Sequence, residues 1–218
     1  MVSQQPDFQS DLEKVNEAFP KIKLNKSENV LPFLEGKIDI CDQDGIYWNT
    51  FEVKITVPVD YPFGVPRMQE IGNQIERIDD RHIDSDGWCC VAIPHVLEMR
   101  AIRGLKIIEY LREFGYPYLV NQVFFQVEGR YAGFEYKHGF AGVIQFYQQL
   151  LQTRDIAVIA RFLKGYLDGQ LPKYLDRCWC RSNRSYRKCH LVAINRLKNL
   201  NKKRISFDCI QFERYLSP

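Results

Sequence analysis

The sequence predicts an α+β fold, in which an antiparallel meander of strands packs against helices and is followed by further helices and a small Cys/His module. Three observations predict it. Apolar and polar residues alternate over 34–40 and 51–57 on either side of a turn, which is typical of a half-covered antiparallel sheet. Apolar residues recur at spacings of three and four in several other segments, which is typical of helices. Three cysteines and a histidine crowd together near the C-terminus.

The first predicted element is a helix over Asp7–Ala18. Phe8, Leu12 and Val15 share one of its faces, and Pro20 is expected to end it because proline cannot continue a helix.

The predicted strands come next. The alternating segments Leu34–Ile40 and Phe51–Val57 are joined at Asp42–Gly45, which has the composition of a turn. Arg67–Ile71 is a candidate third strand. A short apolar strand is also expected after the cysteines at 89 and 90, with Pro94 as its end.

The later segments are predicted to be mainly helical. Leu97–Phe114 and Val143–Leu151 each carry an apolar stripe, and a further helix begins after a cap at Asp155 and closes at Gly169. The aromatic-rich stretch Tyr116–Gly139 shows no clear period.

The composition indicates a globular protein. Hydrophobic residues make up 45% of the 218 residues, and the chain has no apolar run of the ~20 residues that a membrane helix needs. The N-terminus lacks the charged and apolar regions of a signal peptide, so we expect a cytoplasmic protein without a membrane partner. The cysteines are clustered and odd in number, which favours thiol or metal chemistry over a disulfide framework.

The net charge of +3 is unevenly distributed. Lys173–Arg204 holds eleven Lys or Arg against one acid, Asp176, whereas residues 1–172 are net acidic. This split favours two domains, residues 1–170 and a basic C-terminal module of residues 171–218. The basic module could bind nucleic acid, although a run of charge is more often a solvated surface.

A candidate nucleophile lies in Arg81–Ile93, which reads RHIDSDGWCCVAI. A thiol placed after a glycine turn and before an apolar segment is held on a rim, where a thiolate can take an acyl group and release it to an amine. Neighbouring residues of a strand point to opposite sides, so one cysteine of the pair faces outward and the other packs inward. Buried cysteines that serve only as small hydrophobic residues are the alternative.

Together with the upstream segment VPVDYPFGVPRM (Val57–Met68), this stretch resembles the ubiquitin-conjugating enzymes. In that family the active cysteine follows a glycine by three positions, and Gly87 places it at Cys90. The resemblance spans roughly Phe8–Leu151 and implies the family's meander of strands packed with helices. The family's His-Pro-Asn has no full counterpart, because His82 is followed by Ile83 and Asp84. The resemblance implies that Cys90 is the catalytic cysteine. His82 is a further candidate catalytic residue, although a loop histidine is more often structural. Asp84 and Asp86 could orient or deprotonate an incoming amine, although acids are also common in turns for structural reasons.

The segment CWCRSNRSYRKCH (Cys178–His190) resembles the small zinc motif at the C-terminus of the bacterial SecA translocase. Four soft or borderline ligands in thirteen residues suit a tetrahedral zinc site of the structural kind. The predicted ligands are Cys178, Cys180, Cys189 and His190, with zinc as a structural cofactor.

Two functions follow from these resemblances. The first is a ubiquitin-conjugating-like cysteine acyltransferase, which would carry the C-terminus of a ubiquitin-like modifier or of a nucleotide cyclase as a thioester. An activating enzyme would supply that group, and divergent bacterial relatives imply a role in antiphage (antiviral) defence. The second is a catalytically inactive binding module, an adaptor that recruits a ubiquitin-like protein or nucleic acid through its basic zinc tail. The retained cysteine favours the enzyme.

Overall fold

The computed structural model describes residues 6–25, 31–133 and 136–217, and it has an α+β architecture. The chain forms two compact units, Met1–Phe134 and Glu135–Pro218. The first unit contains the sheet, and the described part of the second is mainly helical. Among the helices in these described ranges, none combines the length and apolar character needed to cross a membrane.

The sheet of the first unit is a four-stranded antiparallel meander. Its strands are β1 (Ile22–Asn25), β2 (Phe33–Cys41), β3 (Tyr47–Thr56) and β4 (Arg67–Glu70), paired in sequence order. The register places Ile38 opposite Phe51, and both side chains are buried. The meander predicted from the alternating segments is therefore confirmed, with the additional short strand β1 before it.

The helices of the first unit are α1 (Pro6–Ala18), α2 (Pro94–Ala101), α3 (Ile107–Tyr110) and α4 (Tyr116–Glu128), with a π-helical turn at Leu111–Gly115 between the last two. A buried carboxylate ties α1 to α3. Asp11 of α1 accepts hydrogen bonds from the backbone N–H groups of Ile107 and Ile108, at 2.7 and 3.3 Å, and from the hydroxyl of Tyr61 at 2.5 Å. The free amide groups at the start of α3 are thereby satisfied.

Two predictions after the cysteines are wrong. Pro94 does not end a strand. It begins α2, because the missing N–H of proline costs nothing in the first turn of a helix. The single helix predicted over Leu97–Phe114 is interrupted after Ala101 by a turn in which Gly104 has φ +85°, a conformation that favours glycine.

The second unit contains α5 (Gly139–Leu151), α6 (Ile156–Asp168), α7 (Leu191–Asn195) and α8 (Lys202–Leu216). The helix cap predicted at Asp155 is confirmed, since its side chain accepts from the Val158 N–H at 3.1 Å. Gly169 closes α6 with φ +68°, also as predicted.

The core of the second unit brings its helices together. Tyr147 of α5 is fully buried, donates to the carboxylate of Asp208 on α8 at 2.7 Å and packs edge-on against Phe212. The boundary predicted at 170/171 falls inside this unit, because α8, which follows the Cys/His segment, packs against α6, which precedes it.

Candidate functional site: an exposed thiol and a Cys/His cluster

Residues 82–90 form a narrow hairpin beside strand β4. On one side, the Cys89 N–H donates to the Met68 carbonyl at 2.9 Å and the Gly87 carbonyl accepts from the Glu70 N–H at 2.8 Å. On the other side, the Cys90 N–H donates to the His82 carbonyl at 2.7 Å. The backbone at both cysteines is therefore fixed from two directions.

The turn of this hairpin is shaped by Asp84 and Gly87. The Asp84 carboxylate oxygen Oδ1 accepts from the backbone N–H groups of Asp86 and Trp88, at 3.0 and 2.8 Å, which is the usual way an aspartate stabilises a turn. Gly87 has φ +88°, and a Cβ atom there would lie 2.5 Å from the Glu70 carbonyl oxygen. Only glycine fits both the backbone conformation and the close contact.

A buried ion pair supports the turn from beneath. The Glu70 carboxylate is fully buried and pairs with the Arg77 guanidinium at 2.8 Å. The same guanidinium donates to the Glu70 carbonyl oxygen at 2.7 Å. This oxygen is accessible to the guanidinium because Gly87, which approaches it closely, has no side chain.

The adjacent thiols have different environments. The Cys89 side chain is half-buried against the core, and burial raises the pKa of its thiol to about 12. The Cys90 side chain is exposed. The pKa of the Cys90 thiol is also raised, first by partial desolvation and then by the negative charges of Asp84 and Asp79. Cys90 is thus the accessible thiol of the pair, and it is mainly protonated at neutral pH.

His82 contributes to the site through its backbone. Its residue is in the left-handed conformation, with φ +50°, and its carbonyl is the acceptor for the Cys90 N–H. Its ring packs on the ring of Tyr131, with 5.6 Å between the centroids. Cys90, His82 and Asp84 therefore lie in one hairpin, with Asp84 close enough to influence the Cys90 thiol electrostatically.

Helix α4 anchors this hairpin through buried polar contacts that the sequence did not reveal. The Arg81 Nε donates to the Gln122 side-chain oxygen at 2.8 Å, and the Gln122 amide donates back to the Arg81 carbonyl at 3.0 Å. The Tyr118 hydroxyl donates to the same carbonyl at 3.1 Å. Arg81 and Gln122 are both buried, so the residue that precedes His82 is held rigidly.

The second unit brings three cysteines and a histidine together by a different route. The Cys178 N–H donates to the Arg184 carbonyl at 2.9 Å, and Arg177 and Ser185 form an antiparallel bridge. A short hairpin thus presents Cys178 and Cys180. A 3₁₀ turn, Tyr186–Lys188, then leads to Cys189 and His190 at the start of α7. We refer to Arg177–His190 as the knuckle.

The four donor atoms of the knuckle all lie within 4.8 Å of one another and could hold a metal ion. His190 Nδ1 lies 3.2 Å from Cys178 Sγ and 3.1 Å from Cys189 Sγ, and the sulfur atoms of Cys180 and Cys189 are 3.4 Å apart. These donors are those predicted from the spacing, and the structure brings all four together.

The surroundings of the cluster favour the ligand forms of Cys180 and His190, whereas burial raises the pKa of the Cys178 thiol to about 12. Burial would raise the pKa of the Cys180 thiol, but hydrogen bonds from the Ser182 hydroxyl and backbone outweigh it and lower the pKa. Ser182 Oγ lies 3.2 Å from Cys180 Sγ and 3.3 Å from Cys189 Sγ. Burial lowers the pKa of His190, which keeps the imidazole neutral, as a metal ligand must be.

The knuckle packs directly on helix α6. The Phe162 ring stacks on the His190 ring with 4.9 Å between centroids, and it packs in a tilted arrangement on the Trp179 ring at 5.5 Å. A Cβ atom at Gly165 would lie 2.6 Å from the Trp179 ring, so a glycine is needed at that point of the helix. The knuckle therefore shares its core with the helices of its unit.

No protein-family model matches this chain, and no curated protein matches it. The function must therefore be argued from the two sites themselves.

Proposed function

We propose that this protein is a ubiquitin-conjugating-like acyl carrier that uses Cys90 as its acceptor thiol. The observation that carries the proposal is the contrast between the exposed Cys90 and the half-buried Cys89 on a hairpin fixed by backbone hydrogen bonds. The antiparallel meander and the helices after the cysteine are compatible with the ubiquitin-conjugating fold, which is part of the proposal.

The chemistry of Cys90 favours a donor that is already activated. A thiol with a raised pKa is a poor leaving group, and acyl exchange between two thiols favours the ester of the more basic one. In the proposed step the Cys90 sulfur attacks a thioester on an activating enzyme. The C–S bond to Cys90 forms, the C–S bond to the donor breaks, and the donor thiol leaves with the proton.

The acyl group is then passed to an amine. The amine nitrogen attacks the thioester carbonyl, an amide bond forms, and Cys90 leaves as a thiolate that takes up a proton. Asp84 uses Oδ1 for the turn, so we assign Oδ2 to attract the amine and accept its proton. The backbone carbonyl of His82 supports the site by accepting a hydrogen bond from the Cys90 N–H.

The second part of the proposal concerns the knuckle, which we infer holds zinc in a structural role. Three thiolates and an imidazole are the donor set of closed tetrahedral zinc sites, with no protein position left open for a substrate. The packing of the ligand His190, and of Trp179 between the ligands Cys178 and Cys180, against Phe162 supports a structural role, since it ties the cluster to a helical core.

The carrier proposal can be tested with a glycine-terminated peptide supplied as a small-thiol thioester. Intact-mass spectrometry should show one acyl adduct on the folded chain, which hydroxylamine or excess thiol removes. Cys90→Ala should abolish the adduct, Cys89→Ala should retain it, and Cys90→Lys should trap a stable amide. Added lysine should discharge the folded adduct faster than it discharges the same adduct on urea-denatured chain.

Two results would contradict the proposal. An adduct that persists in Cys90→Ala would place the acceptor elsewhere. Discharge to lysine at equal rates from folded and denatured chains would mean that Cys90 is an ordinary surface thiol, as the binding-module alternative requires.

A further inference from the structure

The charge of this chain divides along its structural boundary. The first unit has 14 Lys or Arg against 21 Asp or Glu, whereas the second has 16 against 6. The second unit therefore has a large positive charge on only 84 residues. Charge of this density is a general signal for a polyanionic partner.

Five of these cations are held on the knuckle. Arg177, Arg181, Arg184, Arg187 and Lys188 are all exposed. The bridge between positions 177 and 185 and the convergence of the four donor atoms keep them in one compact structure. Three thiolates around a divalent ion have a net charge of only −1, so a loaded cluster would leave most of this positive charge uncompensated.

Acidic side chains do little to neutralise the knuckle. Within the described residues, none of its five cations forms an ion pair, whereas Lys164 and Asp168 pair on α6. Asp176 is the one acid of Lys173–Arg204, and its carboxylate accepts the Lys173 N–H at 2.9 Å. Cations without an acidic partner are available to phosphate groups.

An exposed aromatic ring adjoins these cations. Tyr174 is 53% exposed, and the Arg187 guanidinium lies 5.1 Å from the centre of its ring. The Trp179 ring is not available as a second exposed ring, because it packs on α6 and is covered by the Arg161 guanidinium. A ring next to fixed cations is the combination that binds an unpaired base together with its phosphate.

We propose that the knuckle binds single-stranded nucleic acid, with its cations on the phosphates and Tyr174 stacked on a base. Phosphodiesters of DNA and RNA would both satisfy the cations, so the experiment compares both. The proposal is independent of the acyl chemistry at Cys90.

The test uses the full chain, purified with zinc, and fluorescently labelled 20-nucleotide DNA and RNA single strands and a matched duplex. Anisotropy titrations at several salt concentrations give the affinity and its salt dependence. The variant Arg181→Asn/Arg187→Gln/Lys188→Gln removes three charges and spares Arg184, whose guanidinium contacts the Lys188 carbonyl. Asparagine suits position 181, which has φ +60°.

A matched control removes three exposed cations of the first unit, with Lys14→Gln/Lys37→Gln/Arg112→Gln. The knuckle variant should lower the slope of log affinity against log salt by about 2, since each phosphate contact on a single strand contributes roughly 0.7. The control should leave the slope unchanged. Tyr174→Leu should weaken binding of single strands by about tenfold, as loss of one stacked base does, and should not affect the duplex.

Three outcomes would overturn the proposal. The first is the absence of binding at low salt. The second is an equal loss of affinity in the knuckle and control variants. The third is that poly-glutamate competes as effectively as an oligonucleotide of equal charge. Unchanged zinc content in each variant would exclude unfolding of the knuckle as the cause of weaker binding.

Discussion

Cys89 and Cys90 are adjacent in sequence but have different environments, whereas Cys178, Cys180 and Cys189 are separated in sequence and converge with His190. In the first unit, a hairpin beside β4 leaves Cys90 exposed and Cys89 packed against the core. In the second unit, a hairpin and a 3₁₀ turn bring four donor atoms within 4.8 Å. The backbone path, and not the number of cysteines, decides whether thiols remain single or form a cluster.

The two sites also differ in what holds them in place. The Cys90 hairpin is fixed by backbone hydrogen bonds, a buried ion pair and the amide of Gln122. The knuckle has a short hairpin and one aromatic contact surface, so a bound metal would supply much of its folding energy. A change that removes the metal, or one that removes a contact of the hairpin, should therefore destabilise one unit and leave the other folded.

The largest expected effect is that of metal removal. Chelation, or Cys178→Ser, should unfold the knuckle and weaken the α6–α8 core, because zinc binding is worth about 10–16 kcal/mol in small motifs of this type. Hydrogen exchange measured by mass spectrometry should rise across Arg177–His190 and remain unchanged in β2 and β3. Equal protection of the knuckle with and without metal would mean that the cluster is not a structural metal site.

The second prediction concerns Gly87. Gly87→Ala combines a strained φ with a contact of 2.5 Å to the Glu70 carbonyl oxygen, and we expect it to lower the free energy of unfolding of the first unit by about 3 kcal/mol. Gly129→Ala is the control, because Gly129 has φ +68° and open space around it. It should cost about 1 kcal/mol, the strain alone. Equal losses in urea denaturation would show that the close contact does not constrain the hairpin.

Much of this arrangement can be predicted from the sequence where the signal is local. The alternation over β2 and β3, the cap at Asp155 and the spacing of the knuckle ligands each depend on neighbouring residues. Strand β1, with four residues, is too short to show a clear alternation.

The anchoring helix α4 could not be predicted for a different reason. Gln122 is fully buried, and its partner Arg81 lies 41 residues earlier in the chain. A polar residue on the buried face interrupts the apolar period, and its hydrogen-bond partner is set by tertiary structure. The same reasoning applies to Glu70, whose buried charge is paired with Arg77.

The third prediction tests that anchor. Gln122→Leu should leave the buried Nε of Arg81 without its acceptor and destabilise the first unit by about 2 kcal/mol, the usual penalty for an unsatisfied charged donor. Gln122→Glu restores an acceptor for Arg81 but not the donor to its carbonyl. If α4 positions the hairpin, peptide acylation of Cys90 should slow in both variants, whereas stability should recover in Gln122→Glu. A rate that simply follows stability would limit Gln122 to a role in folding.

The smallest expected effect is a shift in the titration of Cys90. Asp84 and Asp79 raise the pKa of this thiol in addition to desolvation, because a negative charge opposes formation of the thiolate. Asp84→Asn removes one such charge, while the asparagine side-chain oxygen can still accept from the Asp86 and Trp88 N–H groups. The pKa of Cys90 should therefore fall.

The measurement is the rate of Cys90 alkylation by iodoacetamide from pH 7 to pH 10, followed by mass spectrometry. The rate follows the thiolate fraction, so it rises with pH up to the pKa, and a lower pKa makes Asp84→Asn faster than the parent chain in the lower part of the range. Asp86→Asn is the matched control, since Asp86 occupies the same turn and does not contribute to the shift at Cys90. If both variants shift the pH profile of alkylation equally, the pKa of Cys90 depends on net charge and not on the position of Asp84. If neither does, Asp84 acts only in the turn, and its proposed role toward an incoming amine fails.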